Sequence, residues 1–279
     1  MYPDLFVLPL PGPDFQVSTY RAAYALATLV TLLVAWLVAV RSGMPRGRAL
    51  AVIVACALAL PVGARAFHVA FNWSRYAEEP ARIWTLEATG HAMFGGVLAV
   101  AVVGFLLARV LALDPWRLAD AGAVGLALGI AIMRLGCFAQ GCCYGLPTNH
   151  ALAVTFPPGS PSHLWQIGQG VVGLFEGPVA VHPAQLYEFA GVFAAGLVAV
   201  VLLARGAASG VPFLAFVALY AVVRWANLFF RVASLDPRTV EFYQWFYPAT
   251  LLVCLALIVW RLRTSMRAGA RNEVVDVPA

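Results

Sequence analysis

The stretch LADAGAVGLALGIAIMRLGCFA, residues 118–139, is apolar throughout except for Asp120 and Arg134. A helix needs about 20 predominantly apolar residues to cross the hydrocarbon core of a bilayer, so this stretch predicts a transmembrane helix. Six further stretches have a similar length and composition. The seven predicted spans are Thr19–Val40, Ala49–Phe71, Ala92–Leu113, Leu118–Ala139, Ala184–Ala204, Val211–Phe230 and Gln244–Leu262. We therefore expect an all-α, polytopic membrane protein.

The composition of the whole chain agrees with this prediction. Of the 279 residues, 62% are hydrophobic and 11% are charged, whereas about a quarter of the residues are charged in soluble domains. This composition excludes a soluble domain, and so apolar a chain is not disordered either. The net charge is +5, and the 18 basic side chains are all arginine. They are scattered singly and form no stripe that tracks phosphates, which argues against nucleic acid as a partner.

The loop arginines predict the orientation, because short loops rich in basic residues stay in the cytoplasm. Most of them fall in inner segments if the N-terminus is outside and the C-terminus is cytoplasmic. The first span is expected to be retained, because the residues before it lack the basic region of a secretory signal. We predict one membrane domain, residues 1–279. Within it, the long Gly- and Pro-containing connection 140–183 forms an outer head region, and its stretch 163–175 fits either a short hairpin or an interfacial helix.

Several ionisable residues lie inside the predicted spans, near their outer ends. An arginine at the centre of a span costs about 2.5–3.5 kcal/mol, so each one requires an explanation. These residues and the polar start of the fifth span predict one outward-facing site for an anion such as a phospholipid headgroup. Snorkelling or the capping of helix ends remains the alternative for Arg21, Arg65 and Arg231.

The segment RLGCFAQGCCYGLPT, residues 134–148, resembles the signature Arg-x-Gly-Asn-Phe-x-Asn-Gly-Glu-x-x-Gly of the bacterial prolipoprotein diacylglyceryl transferases. Further resemblances occur in the same order along most of the chain, at Tyr20 and Tyr24, Gly63–Arg65 with Asn72, Gly95–Gly96, Asp120, His182–Glu188 and Tyr220–Arg231. The resemblance implies a seven-span enzyme of the bacterial inner membrane. Such an enzyme transfers the diacylglyceryl group of phosphatidylglycerol to the lipobox cysteine thiol of a prolipoprotein signal peptide. No cofactor is expected.

The resemblance also implies roles for individual residues. Arg134 and Arg224 would hold the lipid phosphate and stabilise its developing charge, and His182 or His91 would act as general base. Glu188 would orient an arginine or a histidine. The implied substrate-binding residues are Tyr20, Arg65, Gly141, Gly145, Gln185, Tyr187, Glu188, Tyr220 and Arg231, the two glycines by allowing the backbone to approach the headgroup.

The chain departs from the family pattern at several positions. Cys137, Gln140 and Cys142 stand where the signature has Asn, Asn and Glu. Phe94 stands where a histidine precedes the glycine pair, so His91, three residues earlier on the same helix face, is either its substitute or a histidine without a role. Leu228 replaces an acid of the family, which removes a partner for an arginine. A same-fold transferase with another acceptor and an inactive lipid-binding or Cys-redox protein therefore remain alternative functions.

The five cysteines fall into two groups. Cys56 and Cys254 lie in apolar spans and are expected to be packing residues. Cys137, Cys142 and Cys143 lie together at the end of a span, where a disulfide, a redox pair, a soft-metal site and free packing thiols all remain open. A zinc site would need a fourth ligand, which His150 or His163 could supply, but C-x4-C-C is not a recognised zinc spacing. No metal is assigned from the sequence.

Overall fold

A computed structural model of the chain describes residues 4–8, 15–84, 92–232 and 237–275. Its helices are α1 Thr19–Arg41, α2 Arg46–Phe71, α3 Trp73–Ala77, α4 Met93–Val110, α5 Pro115–Gln140, α6 Pro161–Gly168, α7 Ala184–Ala204, α8 Val211–Asn227 and α9 Pro237–Val275, with a 3₁₀ turn at Pro80–Trp84. An antiparallel pair of short strands, β1 Asp4–Leu8 and β2 Phe15–Ser18, precedes α1. The predicted helical architecture is confirmed, and it is consistent with a polytopic membrane protein. This strand pair was not predicted, because strands of four and five residues carry too short a pattern to be distinguished from loop.

Six of the described helices are long and apolar enough to cross a membrane, namely α1, α2, α4, α5, α7 and the segment Thr239–Met266 of α9. Helix α8 is apolar but shorter, so the count of seven spans stays a prediction. Helix α7 begins and ends at the predicted residues. Helix α9 extends beyond both ends of the predicted span, because the helix continues into polar residues on either side of its apolar part.

Five of the described helices end in the same hydrogen-bonded cap. In α1, the Gly43 N–H donates to the Val40 carbonyl at 3.0 Å and the Met44 N–H donates to the Ala39 carbonyl at 3.1 Å, which is the Schellman motif. Gly43 has a φ of 84°, a value that glycine adopts without the steric cost of a Cβ. The same pair of bonds ends α4, α5, α6 and α7, around Ala112, Gly141, Gly170 and Gly206.

The backbone contacts divide the chain into two compact units. The unit Leu32–Ala121 contains α2 and α4, and its core is built mainly from small side chains: Ala35, Ala39, Ala49, Val52, Ala108 and Ala121. Helices α2 and α4 pack through glycines. A Cβ added at Gly95 would lie 2.1 Å from Phe67 Cβ and 2.5 Å from the Gly63 carbonyl oxygen. Small residues permit this close approach, as in many membrane helix pairs.

The other unit comprises residues 1–31 and 122–279. Its core unites side chains of α5, α7 and α8: Ala123, Ala127, Ala131, Val192, Ala195, Ala199 and Phe216. Glycines again set the spacing between helices. A Cβ at Gly196 would lie 2.5 Å from Ala127 Cβ, and one at Gly191 would lie 2.5 Å from Val223 Cγ2. Helix α7 therefore lies close to both α5 and α8.

The connection 140–183 is an irregular segment held by polar contacts. The first residues of the stretch that fitted either a hairpin or a helix belong to a helix, α6, which begins just before it and whose N-cap Ser160 accepts from the His163 N–H. The buried amide of Gln166 bonds both the N–H and the carbonyl of Val179, each at 3.0 Å. Such side-chain bonds satisfy backbone groups that have no partner in a helix or a sheet.

Replacing Gly95 by alanine is expected to lower the free energy of unfolding by about 1–3 kcal/mol, because the added methyl group overpacks the contact of α2 with α4. Gly47→Ala is the matched control, since a Cβ at Gly47 in the same unit meets nothing within 4 Å. Thermal denaturation of the purified protein in detergent, followed by circular dichroism, measures both variants. Equal midpoints would contradict the close packing described above.

Candidate active site

The carboxylate of Glu188 is the centre of a buried polar cluster. This side chain is 1% exposed and accepts hydrogen bonds from four donors. Its Oε1 lies 2.8 Å from Arg134 Nη2 and 2.9 Å from the Tyr220 hydroxyl. Its Oε2 lies 3.0 Å from Arg224 Nη1 and 3.1 Å from Asn227 Nδ2. Because both carboxylate oxygens are occupied, Glu188 is built to hold its neighbours in place.

Three helices supply the members of this cluster. Glu188 lies in the second turn of α7, and Arg134 lies in the second half of α5. Tyr220, Arg224 and Asn227 follow one another on α8 at spacings of four and three residues, which places them on one face of the helix. The close contact at Gly191, one turn after Glu188, allows α7 and α8 to approach near enough for this ion pair.

The cluster carries an excess of positive charge. Two guanidiniums, one buried on Arg134 and one half-buried on Arg224, face the single carboxylate. Arg224 Nε also donates to the Tyr247 hydroxyl on α9 at 3.2 Å, whereas no described residue accepts a hydrogen bond from the buried Nε of Arg134. A buried charge is costly unless it is paired. The arrangement therefore favours an anion with several oxygens, which matches the donor geometry of guanidinium groups.

A cavity of about 430 Å³ lies beside this cluster. It is lined by His150, Leu152, His182, Tyr187, Val223, Ala226, Asn227 and Phe230. Asn227 belongs to both the cavity wall and the Glu188 cluster. The Nδ1 atom of His182 lies 3.1 Å from the Tyr187 hydroxyl, and the ring packs edge-on against Phe230 with the centroids 5.2 Å apart. The volume falls in the range of small-molecule sites, about 300–1,000 Å³.

The signature loop begins at the cap of α5. The Gly141 N–H donates to the Phe138 carbonyl and the Cys142 N–H donates to the Cys137 carbonyl, both at 3.1 Å. The φ of Gly141 is 73°, so its conformation is explained by the cap. The buried Gln185 on α7 donates from Nε2 to the Cys142 carbonyl at 2.6 Å. This bond ties the loop to the same helix that carries Glu188.

Gly145 is the point where three segments meet. Its N–H donates to the His182 carbonyl at 2.9 Å, and the next residue, Leu146, donates to the Phe230 carbonyl at 2.8 Å. A Cβ at Gly145 would lie 2.6 Å from His182 Cβ and 2.6 Å from the carbonyl oxygens of His182 and Phe230. Backbone packing therefore accounts for this glycine, while the predicted approach of a headgroup to it stays a prediction.

The cysteines of the loop are free thiols. All five cysteines of the chain are among the described residues, and none of them forms a disulfide. The disulfide alternative for Cys137, Cys142 and Cys143 is therefore not the arrangement in this structure. Hydrogen bonds from Cys137 and Cys142, with the positive charges of Arg231 and Arg134, hold the pKa of the Cys143 thiol far below its ordinary value.

The structure brings together many of the residues that the sequence singled out. Arg134, Arg224, Glu188 and Tyr220 form the cluster, and His182 and Tyr187 line the adjoining cavity. Arg231 pairs through its backbone with Gly145. Tyr20, partly exposed, lies in the first turns of α1.

Two predicted residues, Arg65 and His91, are not among the described members of the Glu188 cluster or of the cavity wall. Arg65 lies in the unit Leu32–Ala121, where it donates to the carbonyls of Ile83 and Arg82 and its guanidinium lies 5.3 Å from the centre of the Tyr76 ring. These bonds to backbone carbonyls are what the capping alternative predicts. His91 lies outside the described residues.

Asn227 and Tyr247 belong to the site but were not predicted from the sequence. The position of Asn227, three residues after Arg224, is a signal that could have identified it. Tyr247 is one of several aromatic residues near the start of α9, and no local pattern distinguishes it from its neighbours. The loss of the family's acid at Leu228 was expected to leave an arginine without a partner. Arg224 nevertheless has Glu188 and Tyr247 as partners.

Comparisons with known proteins agree with the resemblance. The family model for prolipoprotein diacylglyceryl transferase matches residues 7–260. The phosphatidylglycerol–prolipoprotein diacylglyceryl transferase of Cupriavidus pinatubonensis is 30% identical over 225 residues, which cover 77% of this chain and 74% of that protein. The enzyme of that name from Bacillus licheniformis is 30% identical over 257 residues, 90% of each chain. Because the family match covers nearly the whole sequence, this chain belongs to the prolipoprotein diacylglyceryl transferase family.

Proposed function

We propose that this chain transfers the diacylglyceryl group of phosphatidylglycerol to the lipobox cysteine of a prolipoprotein. The cysteine sulfur forms a bond to the glyceryl carbon that carries the phosphate. The bond between this carbon and the phosphate oxygen breaks, and its electron pair leaves with glycerol phosphate. The thiol proton passes to a base, and the product is a thioether. The excess positive charge around Glu188 is the observation that carries the proposal.

The two arginines of the cluster would bind and stabilise the departing phosphate. The phosphodiester carries one negative charge, and the released monoester gains a second as the carbon–oxygen bond breaks. Glu188 offsets only one of the two guanidiniums, so a positive charge remains for the phosphate. Donors fixed in advance stabilise such developing charge more effectively than water, which must reorient. Tyr247 and Glu188 fix Arg224 in this way, and Glu188 is the partner that fixes Arg134 among the described residues.

His182 is the proposed base for the lipobox thiol. It lines the cavity next to the cluster, and its contact with Tyr187 orients the imidazole ring. A thiolate is the nucleophilic form of cysteine, so removal of the thiol proton near neutral pH suits an imidazole. The role predicted for His91 stays a prediction from the sequence. Tyr20, Gln185 and Arg231 remain predicted contacts of the lipid.

The topology completes the proposal. We infer seven spans with the N-terminus outside and the C-terminus in the cytoplasm of a bacterial cell, and one membrane domain over residues 1–279. Helix α8 is the sixth span; its 17 residues extend about 25 Å at 1.5 Å per residue, slightly less than the hydrocarbon core. The connection 140–183 lies on the outer side, where secreted prolipoproteins arrive. This placement puts the cavity of His182 near the outer leaflet.

The second candidate function is the transfer of the diacylglyceryl group from the same lipid to an acceptor other than a prolipoprotein. Cys137 and Cys142 stand where the family signature has Asn and Glu, and they lie at the end of the helix that carries Arg134. Exchanging an amide and a carboxylate for two thiols alters the hydrogen bonding offered to an acceptor.

Expression in bacterial cells depleted of their own diacylglyceryl transferase tests the function. We expect the chain to restore the diacylglyceryl modification of lipoproteins, measured by the mass of their N-terminal peptides. Arg134→Gln is the negative control, and immunoblotting of isolated membranes shows that both proteins insert. Lack of rescue by a well-inserted chain, with membranes of the expressing cells still releasing glycerol phosphate from phosphatidylglycerol faster than those with Arg134→Gln, would point to the other acceptor. If these membranes show neither rescue nor the added release, the chain is not a transferase.

Arg134→Gln and Arg224→Gln are each expected to lower the rate of lipidation of a lipobox peptide by about 10²–10³-fold, the usual effect of removing one fixed donor to a developing negative charge. Arg117→Gln is the matched control, because this arginine is exposed and pairs only with its helix neighbour Asp114 among the contacts described. Initial rates with purified protein in phosphatidylglycerol nanodiscs provide the measurement. Wild-type rates for either cluster variant would remove that arginine from the mechanism.

Glu188→Gln is expected to destabilise the protein by about 3–5 kcal/mol, because it leaves two neighbouring guanidiniums without their buried counter-ion. In the double variant Arg134→Gln/Glu188→Gln, the decrease in the free energy of unfolding should be smaller than the sum of the decreases in the two single variants, because both substitutions remove the same contact. Denaturation of the four proteins completes the cycle, and the exposed Glu241→Gln is the control. Strict additivity would show that this ion pair does not contribute to stability.

A further inference from the structure

Three thiols converge on one point at the end of α5. The sulfur atoms of Cys137, Cys142 and Cys143 all lie within 4.8 Å of one another. Cys137 is buried, and the other two are half-buried. Neither the family's reaction nor the proposed roles of Arg134, Arg224 and His182 uses these sulfurs, so their arrangement requires its own explanation.

The backbone is shaped so that the three sulfurs meet. In a Schellman cap, the side chain three positions before the cap residue packs against the side chain two positions after it. The cap residue of α5 is Gln140, so these two side chains are Cys137 and Cys142. Cys143 then adopts a φ of 61°, a left-handed conformation that costs a residue with a Cβ roughly 1–2 kcal/mol. The hydrogen bond from Gln185 to the Cys142 carbonyl holds the loop in this position. The fold thus maintains a strained residue whose side chain completes the group of thiols.

The donor set is purely sulfur and has three members. Among the described residues, no histidine or carboxylate joins the group. His163, one of the two histidines considered as a zinc ligand, has both ring nitrogens occupied, by the Gly159 N–H and the Glu176 carbonyl. His150 Nδ1 accepts from the Leu152 N–H. A structural zinc site uses four ligands, whereas soft thiolates on their own suit copper(I).

We propose that Cys137, Cys142 and Cys143 form a three-coordinate site for a soft monovalent cation, copper(I). In a trigonal site with metal–sulfur distances of about 2.3 Å, the sulfurs lie roughly 4.0 Å apart. The three sulfurs already lie within 4.8 Å of one another, so no sulfur–sulfur distance has to shorten by as much as about 1 Å. Three thiolates and one monovalent ion carry a net charge of −2. Arg231, whose charge acts on Cys143, offsets part of this charge. The inference does not rest on the proposed transferase activity.

Copper(I) titration of the anaerobically reduced wild-type protein in detergent tests the site. With a chromophoric copper(I) chelator as competitor, we expect one ion to bind per chain and to produce the near-ultraviolet absorption of thiolate-to-copper charge transfer. Bound copper should also protect Cys137, Cys142 and Cys143 from maleimide, with no effect on the labelling of Cys56 and Cys254. This comparison uses the native sequence and is independent of the folding of any variant.

Serine variants assign the ligands. Cys142→Ser and Cys143→Ser are each expected to weaken copper(I) binding by at least about a hundredfold, since substitutions outside the first coordination shell already weaken metal sites by about 10- to 100-fold. Cys56→Ser and Cys254→Ser are the matched controls and should bind as the wild type does. Thermal midpoints confirm that the variants are folded.

Three results would overturn the inference. The first is undiminished binding in the Cys142→Ser/Cys143→Ser double variant. The second is displacement of copper(I) by an equal concentration of zinc. The third is a disulfide among the three cysteines in protein purified without oxygen, detected as a mass deficit of two hydrogens in the tryptic peptide 135–205.

Discussion

The buried ion cluster around Glu188 is the constraint on which the site depends. In a bundle of apolar helices, a lone guanidinium has no water to solvate it, and a carboxylate with two guanidiniums and two neutral donors is the arrangement that satisfies these groups. One side chain of α7 therefore fixes the positions of α5 and α8 relative to each other. Tyr247 extends the constraint to α9 through Arg224. The one positive charge that Glu188 does not offset therefore lies on side chains whose positions are fixed by the packed helices.

The small residues of the bundle make this cluster possible. Ion pairs near 3 Å between helices require the backbones to approach closely, and Gly191 and Gly196 on α7 provide that approach toward α8 and α5. Alanine occupies many of the remaining core positions of this unit. Packing and electrostatics are thus coupled, because a larger residue at Gly191 would separate Glu188 from Arg224 without touching either of them.

The sequence predicted those parts of the molecule that obey strong local rules. The apolar stretches identified the long helices, since few other structures bury so many consecutive apolar residues. Arg134, Arg224 and Glu188 could be predicted because an ionisable residue inside a span is expensive and requires a partner. Asn227 and Tyr247 could not be predicted in the same way, because neutral polar and aromatic residues are inexpensive near the ends of a span. Their roles depend on which helices become neighbours, and that is a property of the tertiary packing.

The cap at the end of α5 is formed by backbone hydrogen bonds, and its side chains are free to differ in chemistry. The same two hydrogen bonds end α1, α4, α6 and α7, with different side chains at the paired positions: α1 has Ala39 and Met44 where α5 has Cys137 and Cys142. Because the bonds involve only the backbone, the paired side chains can change in type while the helix continues to end at the same place. Such a terminus can acquire new reactivity through two substitutions with little effect on folding. This freedom explains how the end of α5 carries cysteines at two positions where the family signature has Asn and Glu.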